Sequence, residues 1–385
     1  MEFEFTEEQK ALRKELRAYF GRLITPEVRG LAEGHPGQRT IFRQMGADGW
    51  LGIGWPVEYG GQGRSAIEQY IFMDEALAAG APLPGMALSA VGPAIMRFGT
   101  PEQKARYLPI ILRGELEVAI GYSEPEAGTD LAALKTRAVR DGDGYVINGQ
   151  KIFTTIAAHA DYVWLAARTD PDAPKHQGIS IFLVNTKVDG FSWTPIDTLV
   201  GHRTYATFYD DVQVPPEALI GEENHGWQLI TAQLNLERSG IGSSRVLRQS
   251  LEAVRRWAQE QIVDGNRLID REWVQLALAR VRAKVEAQHL LNLKVAWGIN
   301  EDQFSAADAS AVKVLGTELA VEAYRLLLEI VGPSGYVVAG SPGAVLQGRL
   351  ELRYRNAVLT TFGGGVNEIQ RDIIATTGLG MPRSR

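Results

Sequence analysis

The chain has 385 residues, 45 % of them hydrophobic and 22 % charged, with a formal net charge of −6. That length allows a substantial core in about two or three domains, and the acidic balance argues against nucleic acid as the main partner, because phosphate contacts need a basic surface. The absence of cysteine excludes thiol catalysis, disulfides and thiolate metal sites.

The opening MEFEFTEEQK is acidic and lacks the basic then apolar run of a signal peptide. No window reaches the roughly 18 apolar residues of a membrane span, so the expectation is a soluble, cytoplasmic protein without a membrane span. Thr6-Glu7-Glu8-Gln9 is a capping-box pattern, and Leu12, Leu16 and Phe20 follow at helical spacing, which predicts an amphipathic helix. Glycines too dense for a helix interior make Trp50 to Pro56 and Tyr59 to Gly63 an irregular connection. Helix resumes over Ile67 to Ala79 and Pro93 to Phe98, and Pro101-Glu102-Gln103-Lys104 opens another that carries Tyr107, Ile110 and Ile111. Together these predict an N-terminal α-helical domain over residues 1–115.

From Val118 the texture turns to β. Thr136 to Val139 and Tyr145 to Asn148 flank Asp141-Gly142-Asp143-Gly144, a hairpin turn because those residues tolerate positive φ. Tyr162 to Ala167, Ile179 to Val184 and Phe208 to Val214 read as further strands, and Pro215-Pro216 ends the last, since proline supplies no ladder donor. The expected packing is a middle β-barrel or sandwich over 116–225. From Gly226 the chain reads as helix. Leu247, Leu251, Val254, Ala258 and Ile262 mark one stripe and Val274, Leu278, Val281 and Val285 another, and Ala306 to Val331 and Asn367 to Thr377 complete a C-terminal four-helix bundle over 226–385. The fold class expected is therefore α+β and multidomain.

The six histidines include no pair at i, i+4, so no metal site is expected. A nucleophile elbow, a G-x-x-x-x-G-K-[ST] loop and a G-x-G-x-x-G turn are all missing, which removes support for hydrolase, phosphate-loop and nicotinamide readings. What stands out is Gly121 to Asp130, GYSEPEAGTD, with Gly149-Gln150-Lys151-Ile152-Phe153-Thr154-Thr155. A strand feeds a loop bearing glycine and hydroxyls, and a second strand returns an aromatic residue and threonines, a cradle for a flat ligand with polar edges. Periodicity alone favours a plain surface hairpin.

The order of these features resembles the acyl-CoA dehydrogenase family of flavoproteins over nearly the whole chain. Gly99-Thr100, Gln103-Lys104, Leu108-Pro109, Gly114-Glu115, Glu124-Pro125 with Ala127 to Asp130, Asn148 to Lys151, and Glu368 to Arg371 carry the likeness. The resemblance implies FAD between the β domain and the bundle, an acyl-CoA substrate, and an electron-transfer flavoprotein or similar acceptor. It implies that Tyr122 and Ser123 hydrogen-bond the flavin edge, and that Thr129 sits near the flavin or the pantetheine arm. Phe153, Thr154 and Thr155 would pack on or bond to the ring, where the family usually has tryptophan at the first of these and asparagine at Ile156. Gly365, Val366, Asn367 and Glu368 match the segment under the cofactor, with Asn367 as the N-cap of the last helix and Gly365 toward the substrate.

Many members carry the catalytic base in a Tyr-Glu-Gly-Thr run, which aligns with Gly363 to Val366; the glutamate position is Gly364. Another branch takes its base from the first bundle helix, where Glu237 stands in Leu234-Asn235-Leu236-Glu237-Arg238. The resemblance thus implies that Glu237 removes the α-proton, that the Gly364 N–H supports the thioester oxygen, and that Asn235 and Arg238 lie toward the CoA arm. The Arg-x-x-Phe-Gly motif that grips a neighbouring subunit's FAD is replaced by Gln261-Ile262-Val263-Asp264-Gly265, and a later flavin contact reads Glu329 to Pro333. Similar losses occur in the α2β2 enzymes that act on steroid side chains, which leaves a homotetramer and an α2β2 heterotetramer as the two assemblies. The leading expectation is α,β-dehydrogenation of a bulky or branched acyl-CoA. The alternatives are a non-catalytic or half-site subunit of a heteromer, or a flavin monooxygenase or oxidase on the same fold.

Overall fold

The computed structural model describes residues 4–31, 34–240 and 244–383, and the side chains of residues 235–240 lie outside that description. Ahead of the sheet the described residues form the α-helices α1 (Glu7–Leu23), α2 (Pro26–Arg29), α3 (Pro36–Ala47), α4 (Ala66–Ala79), α5 (Gly92–Phe98) and α6 (Pro101–Leu112). The opening capping box forms, with Thr6 N–H donating to Gln9 Oε1 at 3.1 Å and Gln9 N–H to Thr6 Oγ1 at 3.2 Å, and the predicted stripe Leu12, Leu16 and Phe20 is buried. Reciprocal boxes also start α4, from Ser65 and Glu68, and α6, from Thr100 and Gln103. The chain packs as two compact units, one of residues 21–64 with 81–237 and the other of 1–20, 65–80 and 238–385.

The first unit holds an eight-stranded sheet of β1 (Val118–Gly121), β2 (Arg137–Asp141), β3 (Gly144–Lys151), β4 (Tyr162–Arg168), β5 (Ile179–Asn185), β6 (Phe191–Asp197), β7 (Arg203–Val214) and β8 (Leu219–Ile220). Its order is β6-β7-β3-β2-β4-β5-β8, with β1 added parallel to β4. Asp141 pairs with Gly144 across the predicted turn, and Gly142 takes φ 58°. Ile147, Val163, Leu165, Phe182, Val184 and Val212 fill the core on one face. Two features differ from expectation. β7 starts at Arg203, and β6 forms at the sheet edge although it contains Pro195; an edge strand tolerates proline because its outward side has no ladder to donate to.

After the sheet come α7 (Gly226–Gly240), α8 (Ser244–Glu260), the short hairpin β9 (Ile262–Val263) and β10 (Asn266–Arg267), then α9 (Glu272–Asn300), α10 (Ala306–Val331), α11 (Arg349–Thr360) and α12 (Asn367–Ile373). Val254, Val281, Val285, Leu319, Leu327 and Leu350 centre the core of the second unit. Ile262 does not continue the α8 stripe. Asp264 and Gly265 take φ 51° and 78°, the paired left-handed geometry of a two-residue hairpin turn, and this leaves Ile262 64 % exposed on β9. α4 belongs to this unit, tied to it by Arg245, which reaches Glu75 at 2.9 Å. Among the described residues no helix is long and apolar enough to cross a membrane.

Candidate active site

The wall formed by the loops after β1 and β3 is built around a strained corner. Phe153 and Ile156 take φ 60° and 61°, a region that bulky residues enter at a cost of about 1–3 kcal/mol. Hydrogen bonds on either side hold the corner. Ile152 N–H donates to the Ser123 carbonyl at 2.8 Å, and Thr154 N–H to the Tyr205 carbonyl at 2.9 Å. The buried Thr154 hydroxyl meets that of Thr207 at 3.3 Å. The result is a Phe153 ring that is 62 % exposed, an apolar face presented to a ligand. Thr155 and Thr129 are exposed and Ser123 is half-buried, and the Thr155 hydroxyl lies 3.4 Å from that of Thr204.

Two residues expected at the ligand face inward instead. The Tyr122 hydroxyl accepts from Trp164 Nε1 at 3.0 Å and donates to Gln233 Oε1 at 2.9 Å, so its side chain joins a buried hydrogen-bonded chain. Thr154 is likewise fully buried, and its side chain supports the wall from behind. Beneath them lies a buried ion pair that the motif reading passed over: Lys151 Nζ donates to Glu124 Oε1 at 2.9 Å and to the Tyr122 carbonyl at 3.1 Å. Burial pushes the Lys151 ammonium down to about 8, partly offset by Glu124. Burial pushes the Glu124 carboxyl up, but Lys151 together with the N–H groups of Lys135 and Thr136 outweighs it and holds Glu124 below its usual range. The pair is ionised and pins both ends of the loop. Strand alternation was the available signal, since Lys151 follows Tyr145 and Ile147 on the inward register.

Gln233 sits on α7 and is fully buried. Glu237 follows it one helical turn later, so the backbone puts the two positions on one face. The side chains of Asn235, Glu237 and Arg238 lie outside the described residues.

In the second unit, Gly364 and Gly365 take φ 66° and 97° in the turn between α11 and α12. These are conformations that favour glycine, so Gly364 offers a backbone N–H and no side chain. Val366, not Asn367, occupies the N-cap position. Asn367 is the first helical residue, because its side chain is drawn inward to Lys313 Nζ at 2.7 Å and to the Thr317 hydroxyl at 3.1 Å. It is 4 % exposed, with that amide engaged inside the protein. Glu368 is exposed in the first turn of α12, and Val366 is half-buried.

The hydroxyls of half-buried Ser123 and exposed Thr129 and Thr155, with the exposed Phe153 ring, match the chemistry of an isoalloxazine, which offers a flat ring and heteroatom edges. The residues present therefore fit FAD.

Comparison with known proteins agrees. The acyl-CoA dehydrogenase N-terminal, middle and C-terminal domain models match residues 6–115, 119–212 and 224–379. Acyl-CoA dehydrogenase FadE26 of Mycobacterium tuberculosis is 53 % identical over 398 residues, covering 100 % of both chains. Among solved structures, a chain of the ChsE4-ChsE5 complex from Mycobacterium tuberculosis is 54 % identical with a TM-score of 0.94, and the Tcur3481-Tcur3483 steroid ACAD is 49 % identical with a TM-score of 0.94, each over 100 % of both chains. The resemblance read from the motifs is thus borne out, and so is the three-part α+β fold class. This chain belongs to the acyl-CoA dehydrogenase family and is an FAD-dependent enzyme of acyl-CoA dehydrogenation.

Proposed function

We propose that Glu237 is the base of this dehydrogenase, and that the chain acts on a bulky or branched acyl-CoA as one half of an α2β2 enzyme. The observation that carries the first part is the exchange of positions: the turn before α12 has glycine at 364, and α7 has a carboxylate at 237. An α-C–H is far too weak an acid for a carboxylate unless the developing enolate is stabilised by donors set in advance. The Gly364 N–H supplies one such donor at the thioester oxygen, since losing a side chain there does not lose the backbone. Glu237 takes the α-proton, with Gln233 one turn away anchoring the helix that carries it. FAD, when bound, supplies the acceptor for the β-hydrogen as hydride. Ser123, Thr129 and Thr155 hold the cofactor's edge and Phe153 its face. Asn235, Arg238 and Gly365 serve the CoA thioester, and an electron-transfer flavoprotein or similar carrier reoxidises the enzyme in the cytoplasm.

The second part rests on β9 and β10. The segment that grips a neighbour's FAD in other members is here a tight hairpin whose Ile262 and Val263 are 64 % and 41 % exposed. It offers no arginine at the first motif position and no aromatic at the fourth. One solved relative is a two-protein complex and another a steroid ACAD, which supports a paired assembly and a bulky acyl group. Anaerobic mixing with a panel of acyl-CoA thioesters tests both parts, using protein produced alone and together with a second acyl-CoA dehydrogenase chain. A colourless product alone, and flavin bleaching by bulky thioesters in the pair, is the expected result. A yellow homomer bleached equally by short straight chains contradicts the assembly and the substrate class together.

A further inference from the structure

Lys313 is fully buried on α10, in a stripe otherwise made of Ala309, Val312, Gly316 and Leu319. Removing an ammonium from water costs several kcal/mol unless its hydrogens find acceptors. Each of its three does: the Thr361 carbonyl at 2.8 Å, the Gly365 carbonyl at 2.7 Å and Asn367 Oδ1 at 2.7 Å. No carboxylate is among these three. The Asn367 amide in turn donates from Nδ2 to Glu318 Oε1 at 3.2 Å.

These acceptors are the two ends and the last glycine of a single turn. Asn367 N–H closes it by donating to the Thr361 carbonyl at 3.1 Å, and between them lie Gly363, Gly364 and Gly365, which bring no side chain to fix their peptide planes. With Gly364 and Gly365 at φ 66° and 97°, many backbone geometries are open to such a run in the absence of outside restraint. Lys313 Nζ is that restraint. An apolar side chain of equal length would fill the same space, and would leave the direction of the Gly364 N–H undetermined.

We infer that Lys313 is a positioning residue for the reaction: by clamping Thr361, Gly365 and Asn367 around the glycine turn, it aims the Gly364 N–H at the thioester oxygen. The inference rests on the reading of Gly364 as that donor. The bound carbonyl reports it directly, because a conjugated enoyl thioester absorbs at longer wavelength when its carbonyl oxygen is hydrogen-bonded.

The test titrates furylacryloyl-CoA into the flavin-loaded assembly carrying Lys313→Met. The expected outcome is FAD retained, analogue affinity within about threefold of wild type, most of the red shift lost, and kcat down by about 100-fold with KM little changed. A full red shift with unchanged kcat overturns the inference. Should Lys313→Met fail to fold, Asn367→Ala removes one of the three acceptors and must still reduce the shift; an unchanged shift there overturns the inference as well. Glycolate in place of Gly364, which deletes the N–H and keeps the chain, separates the two levels. Loss of the shift with glycolate but not with Lys313→Met removes Lys313 alone, whereas a retained shift with glycolate removes the Gly364 donor and everything built on it.

Discussion

Phe153 is held where a bulky side chain does not settle unaided. Its φ of 60° and its 62 % exposure mean that the apoprotein gains little from the ring and bears the strain of its backbone. Phe153→Gly should therefore stabilise the apoprotein by up to about 1 kcal/mol in urea unfolding while weakening FAD retention; tighter or unchanged FAD binding would sever the link between strain and cofactor. Glu124 makes a different prediction. Its folded pKa lies below its ordinary value of 4.5, so its contribution is complete above that value and is lost as pH falls through the folded pKa. Lys151 works on the alkaline side with the same sign. The folded state releases its proton near 8 while the unfolded chain keeps it to about 10.5, so raising pH through that window favours folding. Glu124→Gln strands the buried ammonium and should cost about 3–5 kcal/mol at neutral pH, with a flatter acid limb below about pH 5. Unfolding curves collected across that range decide it.

At the scale of elements, periodicity exposed the long pieces and missed those set by contacts. The stripe of α9 and the span of α10 are legible because apolar residues recur every three or four positions. α3 carries no such local signal, because glycine and proline at its start look like a loop, yet His35 Nδ1 accepts the Gly37 N–H there and caps it. The site shows the same division. Motif order marked the β wall and the glycine turn, but the inward roles of Tyr122 and Asn367 depend on Trp164, Gln233 and Lys313, partners far away in sequence. Tyr122→Phe tests the inward assignment. It leaves Gln233 and Trp164 without their shared partner and should cost about 1–3 kcal/mol and speed amide exchange along α7, with FAD affinity nearly unchanged. A large loss of FAD affinity with normal stability would return Tyr122 to the flavin edge.

For the whole molecule, the sequence divides most naturally into consecutive domains, but compactness groups α4 and α1 through Phe20 with the C-terminal helices. Part of the tie is ionic and non-local. Asp74 and Glu75 are 4 % and 2 % exposed, and receive Arg13 from α1 at 3.1 Å and Arg245 from α8 at 2.9 Å, pairings that no local pattern announces. Burying two carboxylates is tolerable only with such partners. The same holds for function: family membership follows from motifs spread over the chain, while the identity of the base turns on one empty position and one filled one. The most direct measurement is the anaerobic reaction of the Glu237→Gln enzyme, in its flavin-loaded assembly, with an acyl-CoA that bleaches the wild type. FAD should remain bound, with bleaching slowed by at least about 10⁴-fold, a barrier increase of about 5–6 kcal/mol. Bleaching at the wild-type rate would contradict the assignment of Glu237 as the base.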